Sequence, residues 1–141
     1  MVSFEQASSP DASIARLLAV DDHAPFLTLV RELVDATNLL ELVGEARCGE
    51  EAVEMASGLQ PDVVLMDVRM PGLGGINAAR QIRKSCPSAL IVLISTADPD
   101  ELPLEGTDAF ADAVIHKGKL GPKLLDELWL RHLSRARSSL S

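Results

Sequence analysis

The chain has 141 residues, 47% of them hydrophobic and 24% charged, and a formal net charge of −8. That is one domain's length with room for a single core, and its acidic balance argues against DNA or RNA as a direct partner. No apolar run approaches the roughly 20 residues of a membrane span, the N-terminus is polar and acid-bearing, unlike a secretory leader, and Cys48 and Cys86 form no CxxC pair, so two plain thiols in a reducing cytoplasm are expected.

"MVSFEQASSPDAS", residues 1–13, is polar, lacks a period and contains Pro10, so it reads as a flexible tail. A domain is expected over 14–136, with a short C-terminal tail at 137–141. "ARLLAV" is an apolar run stopped by "DDH", and "PFLTLVRELVDAT" has helical spacing, with Phe26, Leu29, Val30, Leu33 and Val34 on one face and Pro25 near its start. "ELVGEAR" is strand-like; "GEEAVEMASG" is a helix with early acids and Gly58 at its end. "DVVLM" is a strand, "INAARQIRKS" a helix with a basic last turn ended by "CP", and "ALIVLI" the most apolar run in the chain. In "TADPDELPLEGTDAFA" a helix is due, yet Pro103 removes an internal hydrogen bond and clashes one turn back. A short, kinked or partly unwound element is predicted there. "DAVIH" is a weaker strand, and "PKLLDELWLRHL" a final amphipathic helix on which Trp129 packs.

Five strands alternating with helices, their apolar runs continuous rather than alternating, predict a parallel sheet covered on both faces. Ligands of such a sheet bind beyond the carboxyl ends of its strands, where strand order reverses. The residues ending the strands are Asp21 and Asp22, Asp67, Ser95 with Thr96, and Lys117. Each has a plain reading: Asp21 and Asp22 as caps of the first helix, Asp67 as a turn former ahead of Pro71 and Gly72, Ser95 as a loop hydroxyl, Lys117 as a surface lysine. Together they are harder to dismiss, because converging carboxylates repel unless a cation sits among them. Mg²⁺, a hard ion that prefers oxygen, fits that demand. The same preference speaks against His23 as a ligand. Asp67, ionised at neutral pH, is then a nucleophile needing no base, suited to accept a phosphoryl group. Lys117 and the Ser95 hydroxyl would meet the phosphoryl oxygens. "GLGG" at 72–75 lacks the Walker lysine and reads as a turn.

These residues resemble the receiver domain of two-component response regulators, most closely the NarL/FixJ-like branch. The resemblance is carried by "LLAVDDHAPFLTLVRELV", "LVGEARCGEEAVEMASGLQPDVVLMDVRMPGLGGINAARQIR", "IVLISTAD" and "ADAVIHK", over about residues 15 to 118. It implies an α/β fold, the flavodoxin-like (βα)₅ three-layer sandwich with strand order 2-1-3-4-5. It also implies that Asp67 takes phosphate from a histidine kinase or histidine phosphotransfer protein, with Mg²⁺ held by Asp21, Asp22, Asp67 and the Arg69 backbone carbonyl. Ser95 would be the switch hydroxyl and Lys117 the phosphate-contacting lysine. Such a domain is a signalling switch rather than a turnover enzyme, and it acts on a downstream protein through the face made by the segment after the fourth strand, the fifth strand and the last helix; a homodimer stays open. The chain departs from the pattern at Val114, where the family's switch aromatic stands, and at Thr96, Phe110 and Gly118. A stand-alone receiver is expected, since "WLRHLSRARSSLS" leaves room only to finish a helix. The alternative is a binding module of receiver shape that works without phosphorylation. An Asp-nucleophile phosphatase is set aside, because its second Asp is replaced by Arg69.

Overall fold

The computed structural model describes residues 14–102 and 106–140. The tail at 1–13, Ser141 and Pro103 itself lie outside the described residues. Among the described residues the order is β1 (Ala15–Val20), α1 (Ala24–Asp35), β2 (Leu40–Ala46), α2 (Gly49–Leu59), β3 (Val63–Asp67), α3 (Gly75–Ser85), β4 (Leu90–Ser95), β5 (Ala113–His116) and α4 (Pro122–Leu140). Every strand pairing is parallel, in the order β2-β1-β3-β4-β5. This is the α/β flavodoxin-like arrangement that the sequence implied.

The continuous apolar runs are explained by two cores, one on each face of the sheet. Leu17, Ala19, Val63, Leu65, Val92 and Ile94 face α1 and α4, whereas Leu18, Val20, Val64, Met66, Ile91 and Leu93 face α2 and α3. Alternate residues of one strand enter opposite cores, so past Arg16 at the amino end of β1 no position on β1, β3 or β4 is left for a polar side chain until the strand ends.

Local differences from the sequence reading have local causes. On α1 the buried residues are Phe26, Leu27, Val30 and Val34, while Leu29, placed by its spacing on the apolar face, is 45% exposed. Leu27, on the other flank of the Phe26–Val30–Val34 line, is buried instead, so the face α1 turns to the sheet is rotated from the one its spacing suggested. The second helix ends at Leu59 rather than Gly58, and Gln60 takes the left-handed position (φ 50°) usually left to glycine. The Gln60 side chain donates to the carbonyls of Ser57 and Ser85, both at 3.2 Å, which ties the strained residue to α3. Between β4 and β5 no α-helix forms among the described residues. Two single 3₁₀ turns stand there, Pro99–Glu101 and Thr107–Ala109, the second entered through Gly106 at φ 82°. The short, unwound element is therefore present, and Leu102, Phe110 and Ala111 anchor it in the core.

Candidate functional site

The strand order puts β1 beside β3, and the pairing of Val20 with Met66 brings the next residues, Asp21 and Asp67, side by side at the carboxyl edge. The ends of β1, β3, β4 and β5 make the same local turn. Asp21 Oδ1 accepts from the His23 N–H at 2.8 Å, Asp67 Oδ1 from Arg69 at 2.9 Å, Ser95 Oγ from Ala97 at 3.0 Å and His116 Nδ1 from Gly118 at 2.9 Å. One acceptor atom of each side chain holds its own loop two residues on, which fixes where the remaining atoms point. The plain reading of Asp21 and Asp22 as helix caps does not hold: His23 is the residue at the N-cap of α1, and no side chain caps it.

Freed from capping, the carboxylates converge. Ligand atoms of Asp21, Asp22 and Asp67 all lie within 4.8 Å of one another. Lys117, the first residue after β5, reaches in to place Nζ 2.6 Å from Asp21 Oδ2 and 3.2 Å from Asp67 Oδ2. The Asp67 contact is a hydrogen bond, whereas Asp21 Oδ2 is buried and the ammonium beside it is close without being aligned, so that oxygen has charge compensation but no hydrogen-bond partner. Asp21 is wholly buried and Asp67 nearly so, while Asp22 is exposed at the rim. Burial pushes the Asp67 carboxyl up from its ordinary range, and the Asp21 charge adds to this against the Arg69 N–H and Lys117. Burial alone would pull Lys117 down; Asp21 and Asp67 outweigh it and hold the ammonium above its ordinary value.

Three carboxylates against one ammonium leave an excess of negative charge in a mostly buried pocket. An all-oxygen donor set that carries more negative charge than one ammonium offsets suits a hard divalent cation such as Mg²⁺. Ser95 is 2% exposed, and its bond to Ala97 uses the oxygen as acceptor, not the hydroxyl proton.

Two contributors escaped the sequence reading. Phe26, assigned there only to a helix face, turns its ring to Lys117, with Nζ 4.2 Å from the centroid; the available signal was an aromatic in the first turn after an acid pair. Gly75 was read only as part of a turn. An added Cβ there would lie 1.9 Å from the Asp67 carbonyl oxygen, so α3 approaches the site this closely only with glycine at that position. The departures noted in the sequence sit around the site: Thr96 is exposed, and Val114 is half-buried against the core on the α2–α3 face. Phe110 is buried, with the Arg80 guanidinium 5.1 Å from its ring.

Residues 17–128 match the family model described as "Response regulator receiver domain". Among curated proteins the chain is similar to the response regulator GacA of Pseudomonas aeruginosa, 38% identical over 103 residues, which are 73% of this chain and 48% of that protein. It is also similar to the response regulator UvrY of Escherichia coli K12, 36% identical over 72% of this chain and 47% of UvrY. The chain thus spans about half the length of the curated relatives it matches. Among solved structures, the response regulator domain of Thermotoga maritima CheB aligns with a TM-score of 0.73 at 30% identity, over 84% of this chain and 96% of that one. The signal receiver domain of the putative response regulator NarL from Mycobacterium tuberculosis aligns with a TM-score of 0.72 at 27% identity, over 89% and 98%. Among the described residues no helix is long and apolar enough to cross a membrane.

Proposed function

The chain belongs to the response regulator receiver domain family, and from that premise we propose that Asp67 is its phosphoacceptor. The observation that carries this is the convergence of Asp21, Asp22 and Asp67 on one pocket with Lys117 drawn into it. Asp67 Oδ2 faces Lys117 rather than its own turn, so it is the oxygen available for attack. In the transfer it bonds to the phosphorus of a phosphohistidine, the phosphorus–nitrogen bond breaks, and the leaving imidazole keeps the electron pair and takes a proton. Lys117 compensates charge on the incoming phosphoryl oxygens, and the Ser95 hydroxyl donates to one of them. Mg²⁺ would be held by Asp21, Asp22, Asp67 and the Arg69 backbone carbonyl, and when bound it supplies the remaining charge neutralisation.

The donor is a histidine kinase or histidine phosphotransfer protein, and the output is a changed contact with a downstream protein, or with a second copy of the chain, at the face made by the segment after β4, by β5 and by α4. We place the receiver unit at residues 14–136. A second reading, a binding module indifferent to phosphorylation, is favoured by Val114, which offers no ring to swing inward when Ser95 moves, and by the two 3₁₀ turns that stand between β4 and β5 among the described residues. Intact mass after incubation with Mg²⁺ and acetyl phosphate separates the two. One added phosphoryl group that Asp67→Asn does not take supports the phosphoacceptor; no addition, even with a cognate kinase, overturns it in favour of the binding module.

A further inference from the structure

The Lys117 ammonium has three neighbours of different kinds. Two are the oxygens of Asp21 and Asp67, and the third is the ring of Phe26, 4.2 Å below it. The ring is rigidly placed: Phe26 is 8% exposed, and its N–H donates to the His23 carbonyl at 3.0 Å, in the first turn of α1. The Lys117 side chain is itself only 13% exposed. Within such poor solvation the negative face of an aromatic ring attracts an ammonium more strongly than it does in water. An aliphatic side chain would fill the same space without that attraction. The ring and the two carboxylates therefore hold the ammonium from different sides. A divalent cation arriving at the pocket would claim the oxygens that Lys117 already occupies.

We propose that Phe26 is a positioning residue for Lys117: its ring keeps the ammonium between Asp21 and Asp67, which opposes divalent-cation entry and holds Lys117 ready for the phosphoryl group. The second half rests on Asp67 being the phosphoacceptor; the first half does not. Weakening the ring's hold then has opposite effects on the two processes. Cation binding tightens, because the ammonium gives up less when the cation takes its oxygens and it draws back from the ring. Phosphoryl transfer at saturating cation slows, because the ring no longer favours the ammonium's return towards Asp67 as the phosphoryl oxygens arrive. A purely structural role would not split the two in this way.

The test uses the full chain with Phe26→Leu, Phe26→Tyr and a series of progressively fluorinated phenylalanines at position 26. The fluorinated rings keep the shape and drain the negative face, so the series remains informative if Phe26→Leu fails to fold. Three readouts are taken: the proton shift of the Lys117 ε-methylene without metal, Mg²⁺ affinity by calorimetry, and the rate of phosphoryl incorporation from acetyl phosphate at saturating Mg²⁺. In the wild type the ε-methylene resonates upfield, shifted by the ring. With Phe26→Leu that shift is lost, Mg²⁺ binds about three- to tenfold tighter, as a cation–π contact of ordinary strength would require, and incorporation slows by a similar factor. Phe26→Tyr behaves as wild type, and the fluorinated series grades between the extremes. An unshifted ε-methylene in the wild type, or Mg²⁺ affinity that does not change along the series, overturns the proposal. If instead the wild type takes up no phosphoryl group, the phosphoacceptor reading falls, and the shift and the affinity still decide the role of Phe26.

Discussion

Aspartates stand at both edges of the sheet, and the two edges treat them differently. At the amino edge each one closes a joint. Asp62 Oδ2 accepts the Arg16 N–H at 2.9 Å where β3 begins beside β1. Asp112 Oδ2 accepts the Ile91 N–H at 2.8 Å and pairs with Arg83 at 2.7 Å where β5 begins beside β4. Asp126, on α4, accepts the N–H groups of Asn38 and Leu39 just before β2. Arg83 adds bonds to the carbonyls of Phe110, Pro87 and Ala89, so one guanidinium clasps the end of α3 to both neighbouring strands. At the carboxyl edge Asp21 and Asp67 spend one oxygen each on a local turn and turn the other towards a shared lysine. The same residue type is a structural fastener where its partners are backbone amides and a paired arginine. It is a chemical group where carboxylates outnumber the cation, and the excess charge is what a ligand can satisfy.

Four expected outcomes probe that contrast, from largest to smallest. Gly75→Ala drives a methyl group into the Asp67 carbonyl oxygen and should lower stability by about 3 kcal/mol, read by urea denaturation; a loss within error would show that the backbone at the carboxyl edge is not rigid. Asp112→Ala leaves the Ile91 N–H without its acceptor and Arg83 without its charge partner, and should cost about 2 kcal/mol. Asp67→Asn should go the other way without added metal, gaining about 1 kcal/mol as a buried charge beside Asp21 is removed. If both aspartate variants lost stability equally, the distinction between the edges would fail. The surface pair Arg31 with Glu45 serves as the baseline. Arg31 holds the Glu45 carboxyl below its ordinary range, so its contribution is present above the unfolded value, about 4.3, and is lost as pH falls through the lower folded value. Glu45→Gln should flatten that part of the pH–stability curve, with a small loss at neutral pH that vanishes below the folded value, and high salt should erase the difference.

Much of the fold was legible because burial on both faces demands unbroken apolar strands, and "VVLM" and "LIVLI" meet that demand openly. The carboxyl-edge acids were legible for the complementary reason: a charge directly after such a run has nowhere to go but the strand's end. Leu29 was misplaced because the face α1 turns to the sheet is rotated from the one its spacing suggested. The αL position at Gln60 was invisible because glycine is the usual signal, and here a side-chain bond to Ser85 on another helix substitutes for it. The amino-edge fasteners were unread as well: Asp62, Asp112 and Asp126 resemble any polar residue at the start of a strand or on a helix.

Local order along the chain was thus set by the sequence itself: which segments are strands, where each ends, and which polar residue stands there. Only the tertiary structure decided which of those residues meet. Lys117 lies fifty positions from Asp67, and Phe26 sits on an element that propensity describes only as an amphipathic helix. Their contact follows from strand order and register, which bring β1, β3 and β5 to one edge, and that arrangement is selected by the packing of two cores at once rather than by any short stretch of residues.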